Sequence, residues 1–205
     1  NAGATTQSTN AVAIGSGAGN ATQGQDAIAI GRTSGQTSQG VNCVAIGLNA
    51  GNTTQGANAF ALGPGAGQTS QGSNAVAVGF TAGQTSQGNS AVAIGNTAGN
   101  ISQGASAVAV GIQAAQTNQS SGAVAIGNLA GNSTQGADAV AVGNNAANFS
   151  QGANAVAVGH NAGAGLFGTN FQGANAVAVG SGAGQNTQGS SSVAIGLNAG
   201  QTNQV

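Results

Sequence analysis

Charge is almost missing from this chain. Of 205 residues, one is Lys or Arg and two are Asp or Glu, 1% of the total where an ordinary soluble domain has about a quarter. A single cationic side chain cannot neutralise a row of phosphates, so nucleic acid and anionic membrane surfaces are excluded as partners. The one cysteine, Cys43, rules out an intrachain disulfide and a Cys-based metal site. The sole histidine, His160, has no repeated carboxylate near it, and the two acidic residues, Asp26 and Asp138, stand where the sequence otherwise places turn-forming Asn. These absences leave no reagents for catalysis, and neither a cofactor nor a metal is expected. No apolar run approaches the length that crosses a bilayer, so membrane insertion is not expected either.

What remains is Gly, with 39 copies, small and aliphatic residues, and neutral amides and hydroxyls. Low complexity of this kind reads either as disorder or as a solenoid. Disorder follows from low hydrophobicity with high net charge, whereas this chain is 40% apolar with a net charge of −1. Its apolar residues also recur at fixed spacing. NAVAIG at Asn10, NCVAIG at Asn42, NAFALG at Asn58 and NAVAVG at Asn74, Asn154 and Asn175 are one motif. Units begin at residues 10, 26, 42, 58, 74, 90, 106, 122, 138, 154, 175 and 191, so the chain is a repeat array with a period of sixteen. Residues 1–9 read as the last part of a further unit, which suggests a segment of a longer protein or a processed one.

Numbered from its Asn, the unit reads N-A-V-A-I-G-x-x-A-G-(N/Q)-T-(S/T/N)-Q-G-x. Positions 2 to 5 alternate small and bulky, the period-two pattern of a strand. Position 3 is Val except for Ile28 and Phe60, and position 5 is Val, Ile or Leu62. The expectation is that this bulky face forms the core. Gly at position 6 turns a corner, and position 7, which accepts Ser16, Arg32, Leu48, Pro64, Phe80, Asn96, Ile112 and His160, is an exposed corner loop. The segment A-G-(N/Q)-T-(S/T)-Q-G supplies a second short strand. The fold class is therefore all-β, a parallel β-solenoid or β-roll of about twelve sixteen-residue coils with two short strands per coil, forming a single domain over residues 1–205.

The motif (N/S)-(A/S)-V-A-(I/V)-G-x-x-A resembles the YadA-like head repeat of trimeric autotransporter adhesins and related fibre repeats of phages and giant viruses. The resemblance covers all twelve units, although the unit here is longer by its Gln-Gly half. It implies a left-handed β-roll, side-by-side association of three chains, and a surface that binds host matrix or cells.

Three sets of residues are candidates for contact. Position 4 is invariant: Ala13, Ala29, Ala45, Ala61, Ala77, Ala93, Ala109, Ala125, Ala141, Ala157, Ala178 and Ala194. Constant Ala on the face opposite the bulky one reads either as neighbouring coils keeping the position small or as a lateral protein interface; if such faces meet at a symmetry axis Cys43 meets its own copy, and otherwise it is a small apolar filler. Position 14 is invariant Gln: Gln23, Gln39, Gln55, Gln71, Gln87, Gln103, Gln119, Gln135, Gln151, Gln172, Gln188 and Gln204, read as an amide ladder from coil to coil. The tenth unit carries a five-residue insertion around 164–168, where Leu166, Phe167 and Phe171 form a candidate contact loop.

The functional expectation is a non-catalytic structural fibre or adhesin-type rod at a cell surface, at a virion surface or outside the cell. Its partner is itself, laterally through the Ala face or end to end into filaments through unprotected edges, with a host surface as a further partner. The alternative is ice binding through a regular Thr and Ala array. The Thr at position 12 (Thr37, Thr53, Thr69, Thr85, Thr117 and Thr202) would supply the hydroxyls. Six glycosylation sequons begin at Asn20, Asn52, Asn100, Asn118, Asn132 and Asn148, five of them at position 11.

Overall fold

A computed structural model describes residues 1–165 and 171–204. Each coil contributes one three-residue strand from positions 3 to 5, from Val12–Ile14 to Val193–Ile195, and these form one twelve-stranded parallel sheet in chain order. Positions 12 to 14 build the second sheet. Its first ten strands, Thr6–Gln7 to Ser150–Gln151, run in chain order. Gln172 then bridges Gln151 and Gln188, and Asn186–Gln188 pairs with Thr202–Gln204. The fold is thus a parallel β-solenoid with two short strands per coil. Pairing is in step throughout, as in Val76↔Val92↔Val108 and Gln71↔Gln87↔Gln103. At about 4.8 Å per strand, the larger sheet extends for about 53 Å.

The register survives the insertion. Val156 pairs with Val177 and Gln151 with Gln172, a step of 21 residues in place of 16, so the rungs on either side of the insertion stay in register.

The corners explain the invariant small residues. Gly at position 6 has φ between 116° and 132°, a region closed to other side chains, and a Cβ at Gly63 would lie 2.6 Å from the carbonyl oxygen of Gly79 one coil on. Position 1 takes the left-handed region in every coil, from Asn10 at 59° to Ser191 at 61°. Asn, Asp, Ser and Gly122 share it because short polar side chains tolerate that conformation. Asp26 (56°) and Asp138 (55°) are turn formers of this kind.

The interior reverses the expected sense of the strand. Ala at positions 2, 4 and 9 is buried in all but the end coils, whereas the Val and Ile of positions 3 and 5 point outward and stay half-exposed or exposed. The physical reason is thickness. Gly51 at position 10 lies so close to the opposite sheet that a Cβ there would be 3.2 Å from the methyl of Ala45, and at Gly83 one would sit 2.7 Å from Oε1 of the inward-reaching Gln87. Two sheets filled by bulky side chains stand about 10 Å apart, and this coil is too thin for that. Methyl groups and one extended amide per coil fill it instead.

Candidate interaction face

The position-14 glutamines are the amide inside. Gln23, Gln39, Gln55, Gln71, Gln87, Gln103, Gln119, Gln135, Gln151, Gln172 and Gln188 are all buried, and Gln204 in the last coil is half-buried. Each reaches across the coil to the first strand. Gln119 Nε2 donates to the carbonyl oxygen of Val108 at 2.9 Å, shares Ala123 O at 3.1 Å, and donates to Gln135 Oε1 at 3.0 Å. Side-chain links of this kind run unbroken from Gln39 to Gln204. At the first rungs, Oε1 of Gln23 and of Gln39 have no hydrogen-bond partner. One column of side chains therefore ties the sheets together and the coils to one another.

The Ala column cannot be the interface. Ala29, Ala45, Ala61, Ala77, Ala93, Ala109, Ala125, Ala141, Ala157 and Ala178 are 0% exposed within a single chain, Ala194 is buried, and Ala13 in the first coil is half-buried. Their constancy reflects the thin interior. Cys43 is likewise inside, packed with Ala27 and Ala59, with Sγ donating to Gly56 O at 2.8 Å, so it does not meet a copy of itself. Burial pushes its thiol pKa up, opposed by backbone hydrogen bonds.

The side chains offered to solvent are those assigned to the core from sequence. Val12, Ile14, Leu62, Ile94, Ile126, Val193 and Ile195 are exposed, and the other members of positions 3 and 5 are half-buried. Two aliphatic columns thus run the length of the larger sheet without an ionisable group among them. The position-7 corner beside them is exposed as expected, at Leu48, Phe80 (55%), Ile112 and His160.

On the second sheet the hydroxyl column is displaced by one position. Thr53, Thr69, Thr85 and Thr117 at position 12 are half-buried, with only Thr37 and Thr202 exposed. Position 13 presents Thr22, Ser38, Thr54, Ser70, Ser86 and Ser102 to solvent in six consecutive coils. Position 11 forms a second, broken ladder at intermediate burial. Asn52 Nδ2 donates to Thr33 O at 2.7 Å and to Gln36 Oε1 at 3.1 Å, and Gln84 Nε2 to Gln68 Oε1 at 2.8 Å. Of the sequons, Asn100 is 8% exposed and bonded to Thr81 O, Asn132 is bonded to Gln113 O, and Asn118 at position 13 is exposed.

Phe171 of the candidate contact loop is exposed at 52%; Leu166 and Phe167 lie outside the described residues. Among the described residues no group of three or more His, Cys, Asp and Glu is placed to hold a metal, and no helix is long and apolar enough to cross a membrane. Shallow hollows mark the surface of the described residues. One of about 360 Å³ lies against Ser86, Ser102 and Gln119, and one of about 150 Å³ is lined by Leu48, Pro64 and Phe80. No family model matches the chain, and neither a curated protein nor a solved structure matches it.

The inside-out sense of the strand carried a signal in the sequence. Position 4 never departs from Ala, while positions 3 and 5 accept Val, Ile, Leu and Phe, and it is the more tolerant positions that face outward.

Proposed function

We propose that this chain is a non-catalytic structural rod of the fibre or adhesin type, acting at a cell or virion surface or outside the cell, and that it associates side by side with copies of itself through the Val/Ile face. The observation that carries this reading is the outward pair of aliphatic columns along all twelve coils. Exposed apolar surface that is continuous over the length of a molecule marks an interaction site. About 53 Å of sheet with a face about 10 Å wide offers roughly 500 Å² per copy, or about 1,000 Å² for a pair, at the lower bound for a specific interface. A second copy fits because the face is uncharged, so identical surfaces meet without repulsion. The likeness of the motif to adhesin head repeats supports the same reading.

Sedimentation of the purified chain tests it. The wild type sediments as an oligomer, and Val92→Glu with Val124→Glu gives a folded monomer, because the carboxylates replace outward side chains and leave the interior untouched. An unchanged assembly size in the variant overturns the proposal.

A second reading, ice binding, is favoured by the solvent-facing hydroxyl column from Thr22 to Ser102, repeated at each strand spacing. Thermal hysteresis or ice shaping that disappears when Ser70 and Ser86 are replaced by Lys would support it, and a solution without either activity excludes it.

A further inference from the structure

The fold separates one of the six glycosylation sequons from the other five. Asn20, Asn52, Asn100, Asn132 and Asn148 stand at position 11, where the repeat's own pattern of an amide at 11 and Thr or Ser at 13 generates the tripeptide. None of the five is exposed. An N-linked glycan replaces one of the two hydrogens of the amide nitrogen, and in three of these residues both are in use. Asn52 Nδ2 donates to Thr33 O at 2.7 Å and Gln36 Oε1 at 3.1 Å, Asn100 Nδ2 to Thr81 O at 2.8 Å and Gln84 Oε1 at 3.2 Å, and Asn132 Nδ2 to Gln113 O at 2.9 Å and Gln116 Oε1 at 3.3 Å. The other two donate once each, Asn20 Nδ2 to Asn1 O at 3.4 Å and Asn148 Nδ2 to Asn145 Oδ1 at 3.3 Å. A sugar at position 11 therefore has to displace bonds that hold neighbouring coils or turns together.

The sixth sequon, Asn118-Gln119-Ser120, arises from two departures from the repeat in one coil: Asn at position 13, and Ser at position 15, where ten of the twelve units have Gly. Asn118 is exposed, and among the described residues no hydrogen bond engages its amide nitrogen. Its backbone takes the left-handed region at 54°, which Asn tolerates. Gln119 and Ser120 line the hollow of about 360 Å³, which Ser86, Ser102 and Ser121 edge with further hydroxyls. Open space bordered by neutral donors and acceptors thus adjoins the one free sequon amide. We infer that Asn118 is the acceptor for an N-linked glycan, and that it alone of the six sequons holds one in the folded rod. The inference rests on the placement at a surface or outside the cell proposed above, since the transfer accompanies export. The Asn118 amide nitrogen bonds to C1 of the first sugar of a polyprenyl-diphosphate-linked oligosaccharide. The bond from C1 to the phosphate oxygen breaks, the lipid diphosphate leaves with the electron pair, and a base of the transferase takes the displaced amide proton. Asn118 belongs to the second sheet, so the glycan leaves the Val/Ile sheet uncovered.

The test is export of the chain from cultured animal cells behind an added signal peptide. Secreted and retained material are mapped by mass spectrometry after peptide N-glycosidase treatment in heavy-oxygen water, which marks each released site as a labelled Asp. The secreted rod is expected to carry one glycan, with occupancy at Asn118 at least ten-fold above that at Asn52, Asn100 or Asn132. Ser120→Gly gives position 15 the residue of the other coils, and should abolish the glycan while secretion and the β-sheet circular dichroism stay unchanged. Ser120→Thr keeps the sequon and should keep the glycan. Secreted wild type without a glycan at Asn118, secreted rod occupied equally at a position-11 Asn, or glycans confined to position 11 in retained chain overturns the inference. Because the added signal supplies export, that outcome does not depend on where the chain acts. A glycan on the exported chain with none on the chain from its natural source overturns the placement outside the cell and leaves the acceptor assignment standing.

Discussion

The two sheets of one coil solve opposite problems with the same alternation. In the Val/Ile sheet the small side chains point in and the bulky ones point out. In the second sheet the long side chain, Gln at position 14, points in, and the short hydroxyls of position 13 point out. The first sheet leaves its apolar surface unspent, while the second closes its hydrogen bonds inside the molecule. Cohesion along the rod and, on the reading proposed above, association between rods thus fall to different faces, and each can be altered without the other.

The largest expected effect is on the cohesive side. Gln119→Leu keeps the bulk but removes the donor to Val108 O and Gln135 Oε1 and the acceptor for Gln103. Buried partners left unpaired make this a loss of about 2–4 kcal/mol in guanidinium unfolding. Thr54→Val, outward on the same sheet and outside the left-handed region, is expected to change stability by less than about 0.5 kcal/mol. Equal losses would mean that the ladder is incidental to the rod's stability.

Next in size is a pair of neighbours on one strand. Ala109→Val adds bulk to a space without room for it and should destabilise by about 1–3 kcal/mol. Val108→Ala, one residue away, should leave the monomer's unfolding midpoint almost unchanged and weaken only the assembly, read as a shift of the sedimentation profile towards monomer at low concentration. If Val108→Ala proved the more destabilising in the monomer, the assignment of inside and outside would be reversed.

Cys43 sharpens the comparison through pH. Its thiol pKa is raised in the folded chain from an ordinary value of 9.0, so the native state holds the proton in a pH range where the unfolded chain has released it. The stability that this group contributes is fully present below about pH 9 and is lost as pH rises through the folded value. The wild type should therefore lose stability in alkali relative to Cys43→Ala, and the two should be alike at neutral pH. The smallest effect concerns salt. An interface without charge should change its association constant by less than about two-fold between roughly 0.05 and 0.3 M NaCl, measured by sedimentation.

Much of this architecture was legible because the twelve units act as an alignment within one molecule. The sixteen-residue coil, its two strands, the glycine corner at position 6 and the exposed seventh position all follow from which positions stay constant. The Gln column was readable as a ladder because an amide that never varies needs a repeated partner. The sense of the strand was not legible from alternation, which distinguishes two faces without saying which is inside. The usual rule that bulk goes inward failed because it presumes a coil thick enough to hold Val. The constraint that decides this lies across the coil, where Gly51 stands close enough that a Cβ would meet the methyl of Ala45 at 3.2 Å. The displacement of the hydroxyl column had a local cause. Gln at position 14 points inward, so its neighbour at position 13 faces solvent, at Thr22, Ser38 and Thr54 as at Ser70 and Ser86.

The step of 21 residues at the insertion makes length and decoration independent variables. Because Gln151 pairs with Gln172 as other rungs pair across sixteen residues, the second-strand segment of a coil can take on additional chain while the neighbouring rungs keep their places. Such a rod resembles a ruler to which labels can be attached without moving its marks. New surface can be acquired one coil at a time, and the axis against which a partner is aligned stays the same.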